Sequence, residues 1–189
     1  MLITRDSAVG VDKAIEELQT KLHTGLVSLW DLEDTSVYKC YGRCYRNRRE
    51  SGYVAEVYEG NNEYKECYWD DSLYALSFFG LSDTIEIGVQ SSVDAHLIFF
   101  VDLSRVLSGA DRNDEKARVQ ILNILGAGDM YSPVKSVELT LDNILREYKG
   151  SITEQLRNHV EMHPVHCFRV NLELIYETTL SNCTIFKSF

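Results

Sequence analysis

The sequence predicts an α+β fold: an antiparallel or mixed twisted sheet with a long hairpin or meander, packed by an N-terminal helix and by two to three helices inserted before the last long strand. Three observations predict it. Val11, Ile15, Leu18 and Leu22 recur near the start at helical spacing. A block rich in tyrosine and other strand formers follows, up to about Leu103. Near the end, His166, Phe168, Val170, Leu172, Leu174 and Tyr176 alternate with Cys167, Arg169, Asn171, Glu173, Ile175 and Glu177, a period of two. Composition agrees, since 44% hydrophobic and 25% charged residues in a chain of 189 are the mixture of an ordinary globular protein. No Pro, Gly or Ser-rich linker divides the chain, so a single domain over residues 1–189 is expected. A chain of this length buries roughly 70% of its unfolded surface and needs neither disulfide nor metal to fold.

The first helix is expected from Gly10 to Thr24, with Asp6 or Ser7 to cap its free amides and Gly25 to end it. Leu26 to Leu32 is a short apolar run, the start of the β-rich block. Val37 to Tyr45 reads as a strand, Arg46 to Gly52 as a polar loop and Tyr53 to Glu59 as the returning strand of a hairpin. Gly60-Asn61-Asn62 is a turn signal, because these residues accept positive φ cheaply, and Glu63 to Trp69 runs back to complete a three-stranded meander. Ala95 to Leu103 is apolar on both alternating faces, which places it at the heart of a sheet covered from two sides.

Three helical patterns follow. Asp111 or Asn113 can cap a helix through Ala117, Ile121, Ile124 and Leu125 that stops at Gly126. Val137, Leu141, Ile144, Leu145 and Tyr148 suggest a second helix, ending at Gly150. Ser151 with Glu154 forms a capping-box pattern that opens a third, through Leu156 and Val160 to Pro164. The twelve alternating residues from His166 then form the clearest strand, with one wet face.

The formal charge is −10, with 29 acidic against 19 basic side chains, which opposes nonspecific binding to phosphate backbones and anionic membranes. No direct nucleic-acid binding is expected. The start of the chain has no apolar core of signal-peptide length, and no stretch approaches the length of a membrane span, so neither secretion nor membrane insertion is expected. The 5 cysteines, Cys40, Cys44, Cys67, Cys167 and Cys183, are an odd set without framework spacing, which favours a reducing cytoplasm.

His159, His163, His166 and Cys167 gather imidazole and thiolate, the ligand types zinc prefers. Yet His163 is extended before a proline, and His166 and Cys167 point to opposite faces of a strand, so the four do not converge without distortion. The plainer reading is a helix end, a turn and a buried edge histidine. Asp31, Glu33 and Asp34, with Asp70-Asp71, invite a magnesium reading, and Glu63-Tyr64-Lys65 gives half of a metal-dependent nuclease signature. Solvated loop carboxylates explain these residues more simply. No catalytic residue, metal or cofactor is therefore expected, and the chain does not read as an enzyme.

Charge pattern is more informative. Arg43, Arg46, Arg48 and Arg49 form a basic tip, whereas Glu50 to Asp94 is acidic with Lys65 its single base. Eight of the 11 tyrosines fall between Val37 and Gly80. Arg, Tyr and Trp are the residues that protein interfaces favour, so Arg46, Arg48, Arg49, Tyr53, Tyr64 and Trp69 are candidate protein-contact residues. The alternative is a half-exposed sheet whose arginines pair with neighbouring acids. A basic tip on an acidic body suits head-to-tail contact between identical subunits.

The helix at Val11 to Thr24, the hairpin, the strand at Ala95 to Leu103 and the long final strand, with the phrases AVGVDKAIEELQ, YVAEVYEGNNEYKECYWDDS, LSFFG, HLIFFVDL and DRNDEKAR, resemble the tail-terminator or tail-completion proteins of long-tailed bacteriophages, specifically those of phages and prophages of Bacteroides-type bacteria. The resemblance spans most of the chain and rests on element order, size and these phrases. It implies a non-enzymatic structural protein that forms a ring, usually a hexamer, capping the tail tube and meeting the head-completion proteins. It would act in the host cytoplasm during assembly and then within the virion. No functional residue carries over individually. Two other readings stand beside it: a metal-dependent nuclease or hydrolase using the His159 to Cys167 cluster or the acids near Asp70, and a peptide-binding module that adds a strand to an exposed sheet edge.

Overall fold

In the computed structural model, which describes residues 1–50, 52–88, 90–107, 113–126, 132–148 and 163–177, the first apolar stripe forms α1 (Val11–Leu29). Its start has no side-chain cap; Gly10 at φ 57 turns the chain, and its carbonyl accepts from the Lys13 amide at 3.1 Å. The helix also outruns its expected end. Gly25 faces α3 (Asp114–Gly126), where an added Cβ would lie 2.9 Å from Ile124 Cδ1, so this glycine is a crossing point between helices. Leu26 to Leu29 are consequently helical, with Leu26 in the core. The true end is a Schellman motif with Asp31 at φ 51: Leu32 N–H bonds Val27 O at 3.0 Å and Asp31 N–H bonds Ser28 O at 3.4 Å.

The strands β1 (Leu2–Ile3), β2 (Tyr38–Arg43), β6 (Ala75–Glu86), β7 (Ser91–Asp102), β8 (Val134–Glu138) and β9 (Val165–Tyr176) form a mixed sheet in the order β1-β2-β6-β7-β9-β8. β1, β2 and β6 are parallel and the rest antiparallel. A second, antiparallel sheet is the meander β3 (Tyr45–Arg49), β4 (Gly52–Gly60) and β5 (Glu63–Glu66). The fold is thus α+β, as the patterns predict. The expected strand over Val37–Tyr45 is interrupted, however. Cys44 bonds Phe79 O through its amide and buries its thiol, and the chain then leaves β2 for the other sheet. The expected loop from Arg46 is in fact strand β3, in register with β4 from Tyr45↔Glu56 to Arg49↔Gly52.

β7 is central and buried on both faces. Its odd residues Val93, Ala95, Leu97, Phe99 and Val101 meet α1 and α3, while Ile98 and Phe100 meet the meander. On the helix side the rings of Trp30, Tyr38, Phe99 and Phe168 pack at centroid distances between 5.7 and 6.2 Å. On the other side Ala55, Val57 and Cys67 of the meander cover Leu76, Phe78 and Phe100 with Ile144, Leu145 and Tyr148.

Two further expectations change. The helix over Val137 to Tyr148 is instead the edge strand β8 followed by α4 (Leu141–Ile144), a single turn that drops Ile144, Leu145 and Tyr148 into the second core. The wet face of β9 is partly dry, because that same segment covers Cys167 and Arg169, both 3% exposed. Between β7 and α3, α2 (Leu103–Val106) is a short turn capped by Asp102. The expected third helix from Ser151, the cap at Asp111, and His159 and Cys183 lie outside the described residues. Cys40, Cys44, Cys67 and Cys167 are buried free thiols.

Candidate functional site: a cleft where two strands part

Parallel β2 and β6 stay paired from Tyr38↔Ala75 to Arg43↔Phe79 and then separate. β2 continues as β3 into the meander, and β6 runs on alone on that side. The fork between them opens a cleft of about 210 Å³. One wall is Arg43, Cys44, Tyr45 and Arg46; the other is Leu81, Ser82 and Asp83; the floor is His96, Glu147 and Tyr148. Between Leu81 and Ile85 the β6–β7 register shifts, so Ser82, Asp83 and Thr84 bulge from the ladder and Asp83 is aimed at Arg46, with which it forms an ion pair across the mouth.

Gly80 makes the floor possible, since a Cβ there would collide with both the His96 ring and the Tyr148 hydroxyl. His96 Nε2 and Tyr148 Oη are 3.2 Å apart, and the Tyr148 ring meets Phe78 edge-on at 5.6 Å. Beneath them lies an ionic network that runs from the buried Arg169 out to the half-exposed Arg146. Arg169 holds Glu147 in a two-pronged pair, with Nη2 to Oε1 at 2.8 Å, and its Nε donates to Asn171 Oδ1 at 2.7 Å. Arg146 joins Glu147 to Glu138 at 3.1 Å, and Asn171 Nδ2 donates to Glu138 at 2.6 Å and to Ser136 at 3.0 Å.

This environment fixes protonation states far from neutrality. Burial, and then the positive charge of Arg169, push the His96 imidazole down to about 3. Burial drives the Cys44 thiol up to about 12, against a smaller downward pull from Tyr148, and lifts the Tyr148 hydroxyl well above its usual value. Burial would raise Glu147, but its bonds to Arg169 and Arg146 outweigh that and hold it at about 2. At neutral pH the floor is therefore a neutral imidazole, a neutral phenol and a carboxylate already paired, with a neutral thiol in the wall beside them. Acid–base catalysis works best with a pKa near the working pH and attack by cysteine needs a thiolate, and burial moves these groups away from both.

The predicted contact residues do not form one patch. Arg46, Arg48 and Tyr53 share a face of the meander, with Arg48 directly opposite Tyr53 on β4 and both exposed. Arg49 lies on the same strand, in register with Gly52. Tyr64 is on the opposite face, edge-on to Tyr45 and Tyr58 at 5.6 Å each. Trp69 turns inward, packing 6.2 Å from Phe100 over the second core. Tyr68 takes an exposed position instead, with Lys39 5.6 Å above its ring.

The ligand-like residues disperse. His163 is exposed in a turn, His166 stacks on Phe168 at 5.4 Å with Arg118 3.2 Å from its Nε2, and Cys167 is buried on the other face. Asp70 accepts from the Ser72 amide at 2.8 Å, and that bond lowers its pKa. Among the described residues no three His, Cys, Asp or Glu side chains gather in a way that can hold a metal ion. No described helix is long and apolar enough to cross a membrane.

Sequence reasoning missed the cleft floor. Its one trace is a lone His96 set within otherwise apolar strand positions, together with Gly80 at the end of the run Ala75 to Phe79. No family model, curated protein or solved structure matches the chain.

Proposed function

We propose that this chain is a non-enzymatic assembly protein that works through contacts with copies of itself and with other proteins. Its finer form is the reading implied by the resemblance: a phage or prophage tail-completion protein, ring-forming, that meets tail-tube and head-completion proteins. The observation that carries the proposal is where the molecule leaves apolar surface in water. Tyr53, Tyr64 and Tyr68 of the meander segment and Ile85 and Ile87 of the β6 arm are all exposed, Ile87 at 86%. Large aromatic and branched side chains on rigid strands are suited to protein contact, and strands with a free edge carry unpaired amides and carbonyls that a neighbour can complete.

Size-exclusion chromatography with light scattering, across protein concentration and salt, tests it. The expected result is a concentration-dependent oligomer that weakens as salt rises, because Arg46, Arg48 and Arg49 would face an acidic neighbour. A strict monomer at high concentration and low salt overturns the proposal.

A further inference from the structure

Among the described residues, β3 and the end of β6 are strand edges that lack a neighbour and carry opposite charge. β3 is the outer strand of the meander, paired only with β4, and in the five residues Tyr45–Arg49 it carries three arginines and no acid. β6 has lost β2 beyond Phe79, and from Ser82 to Ile87 it carries Asp83, Glu86 and no base. At about 3.3 Å per residue the β3 edge is roughly 17 Å long and the β6 edge roughly 20 Å. Asp83 is already tied to Arg46 within the molecule, so the part of each edge that stays open lies beyond that pair: Asn47 to Arg49 on one, Thr84 to Ile87 on the other.

We propose that the β6 arm of one copy adds edge-to-edge to β3 of the next, antiparallel, with Glu86 opposite Arg48. This rests on the assembly reading above and names the contact that would carry it. The occupant is a second copy because the two edges complement one another in sign and length while each is unlike itself. Pairing β6 with β6 or β3 with β3 would set like charges face to face, which disfavours the symmetric alternatives. A contact between two different edges is heterologous, so it propagates head to tail and closes into a ring where the rotation allows. In the Glu86–Arg48 register Glu86 lies on the face that carries the exposed Tyr53 of β4, and Ile87 falls beside Asn47 on the other face, along a backbone ladder.

The test uses the full chain in two parts. Equal amounts of Arg48→Cys and Glu86→Cys, each also carrying Cys183→Ser, are mixed at low salt and oxidised; the thiols of Cys40, Cys44, Cys67 and Cys167 are buried and do not compete. The expected product is a disulfide-linked dimer of one variant with the other, in excess over either homodimer. In parallel, Arg48→Glu and Glu86→Lys should each weaken association by about tenfold, and the double exchange should restore it, the signature of a direct charge pair. Both positions are exposed, and unchanged circular dichroism and melting temperature verify that each variant is folded. Oligomers that form without the 48–86 bridge, or a double exchange that fails to restore them, overturn this contact and leave the assembly reading standing. A wild-type chain that stays monomeric overturns both.

Discussion

On the helix side of the six-stranded sheet, α1 and α3 close over Leu22, Leu26, Phe99 and Phe168, and the strands there are sealed by apolar contact. On the meander side the same strands carry His96 and Arg169, nearly as deeply buried, and close over them with Glu147, Arg146 and Glu138. The first side is held by apolar area throughout, which is tolerant of detail; the second joins an apolar cluster of its own to an ionic one, where each ion depends on its partner. The difference follows from the fork. Where β2 departs from β6, a sheet loses a neighbour and helices cannot fill the notch, so polar side chains reach in from β7, β9 and the turn at Glu147.

The largest effect should come from breaking the ionic side. Arg169→Met leaves Glu147 without its main buried partner and should cost about 3–5 kcal/mol in urea unfolding, whereas Arg169→Met with Glu147→Leu should recover most of that loss. A single variant that costs no more than an exposed pair would erase the contrast between the two faces.

Acid should come next, and it strikes one residue on each side. His23, stacked on Tyr38 at 5.3 Å with an unpartnered Nε2, is pushed down to about 4 by burial and then by the N-terminal ammonium. His96 lies at about 3. Both folded values lie below the unfolded one, so the unfolded chain binds the extra protons. Stability is therefore complete above pH 6.5 and falls as pH drops towards 4 and 3, by about 2 kcal/mol per histidine between pH 6.5 and 5. Unfolding free energy measured across that window should have a slope approaching two protons, and His23→Leu should reduce it to one. A flat profile would mean that neither imidazole is held neutral.

Smaller still is the helix crossing. Gly25→Val should cost about 1–3 kcal/mol, because Ile124 must move, and its melting curve distinguishes a packed crossing from a loose one. The smallest effect belongs to the mouth of the cleft, where Arg46→Ala removes an ion pair to the exposed Asp83 and should change stability by no more than about 1 kcal/mol.

The helix side was more legible in the sequence than the meander side. The start of α1, α3 and the long run of β9 are written in a single repeating period, and the centre of β7 in an unbroken apolar run. β6 is not, since Ala75 to Phe79 is buried on both faces while Ser82 to Glu86 is exposed, and no one pattern spans the strand. Gly25 has the look of a helix stop because its use is tertiary: only the position of Ile124 makes it a crossing point. Cys44 gives no sign that the chain changes sheets there, as the turn depends on an amide bond to Phe79. Of the candidate site, Arg46, Arg48 and Tyr53 were foreseeable as neighbours from the hairpin pattern. Tyr64 and Trp69 were not separable from them, because which side of a twisted meander faces the core is decided by the sheet beneath. The floor of the cleft was hidden for the same reason, being assembled from residues on β7, β9 and the segment after α4.

The parallel pairing of β2 with β6 has one more effect. Since these strands point the same way, the chain must travel from the far end of one to the near end of the other, and it does so through the meander laid across the sheet. That span is clamped at both ends and glued along its middle by Ala55 and Val57. A plate fastened in this way holds its shape without help, so little freedom would remain to be lost in any contact it makes.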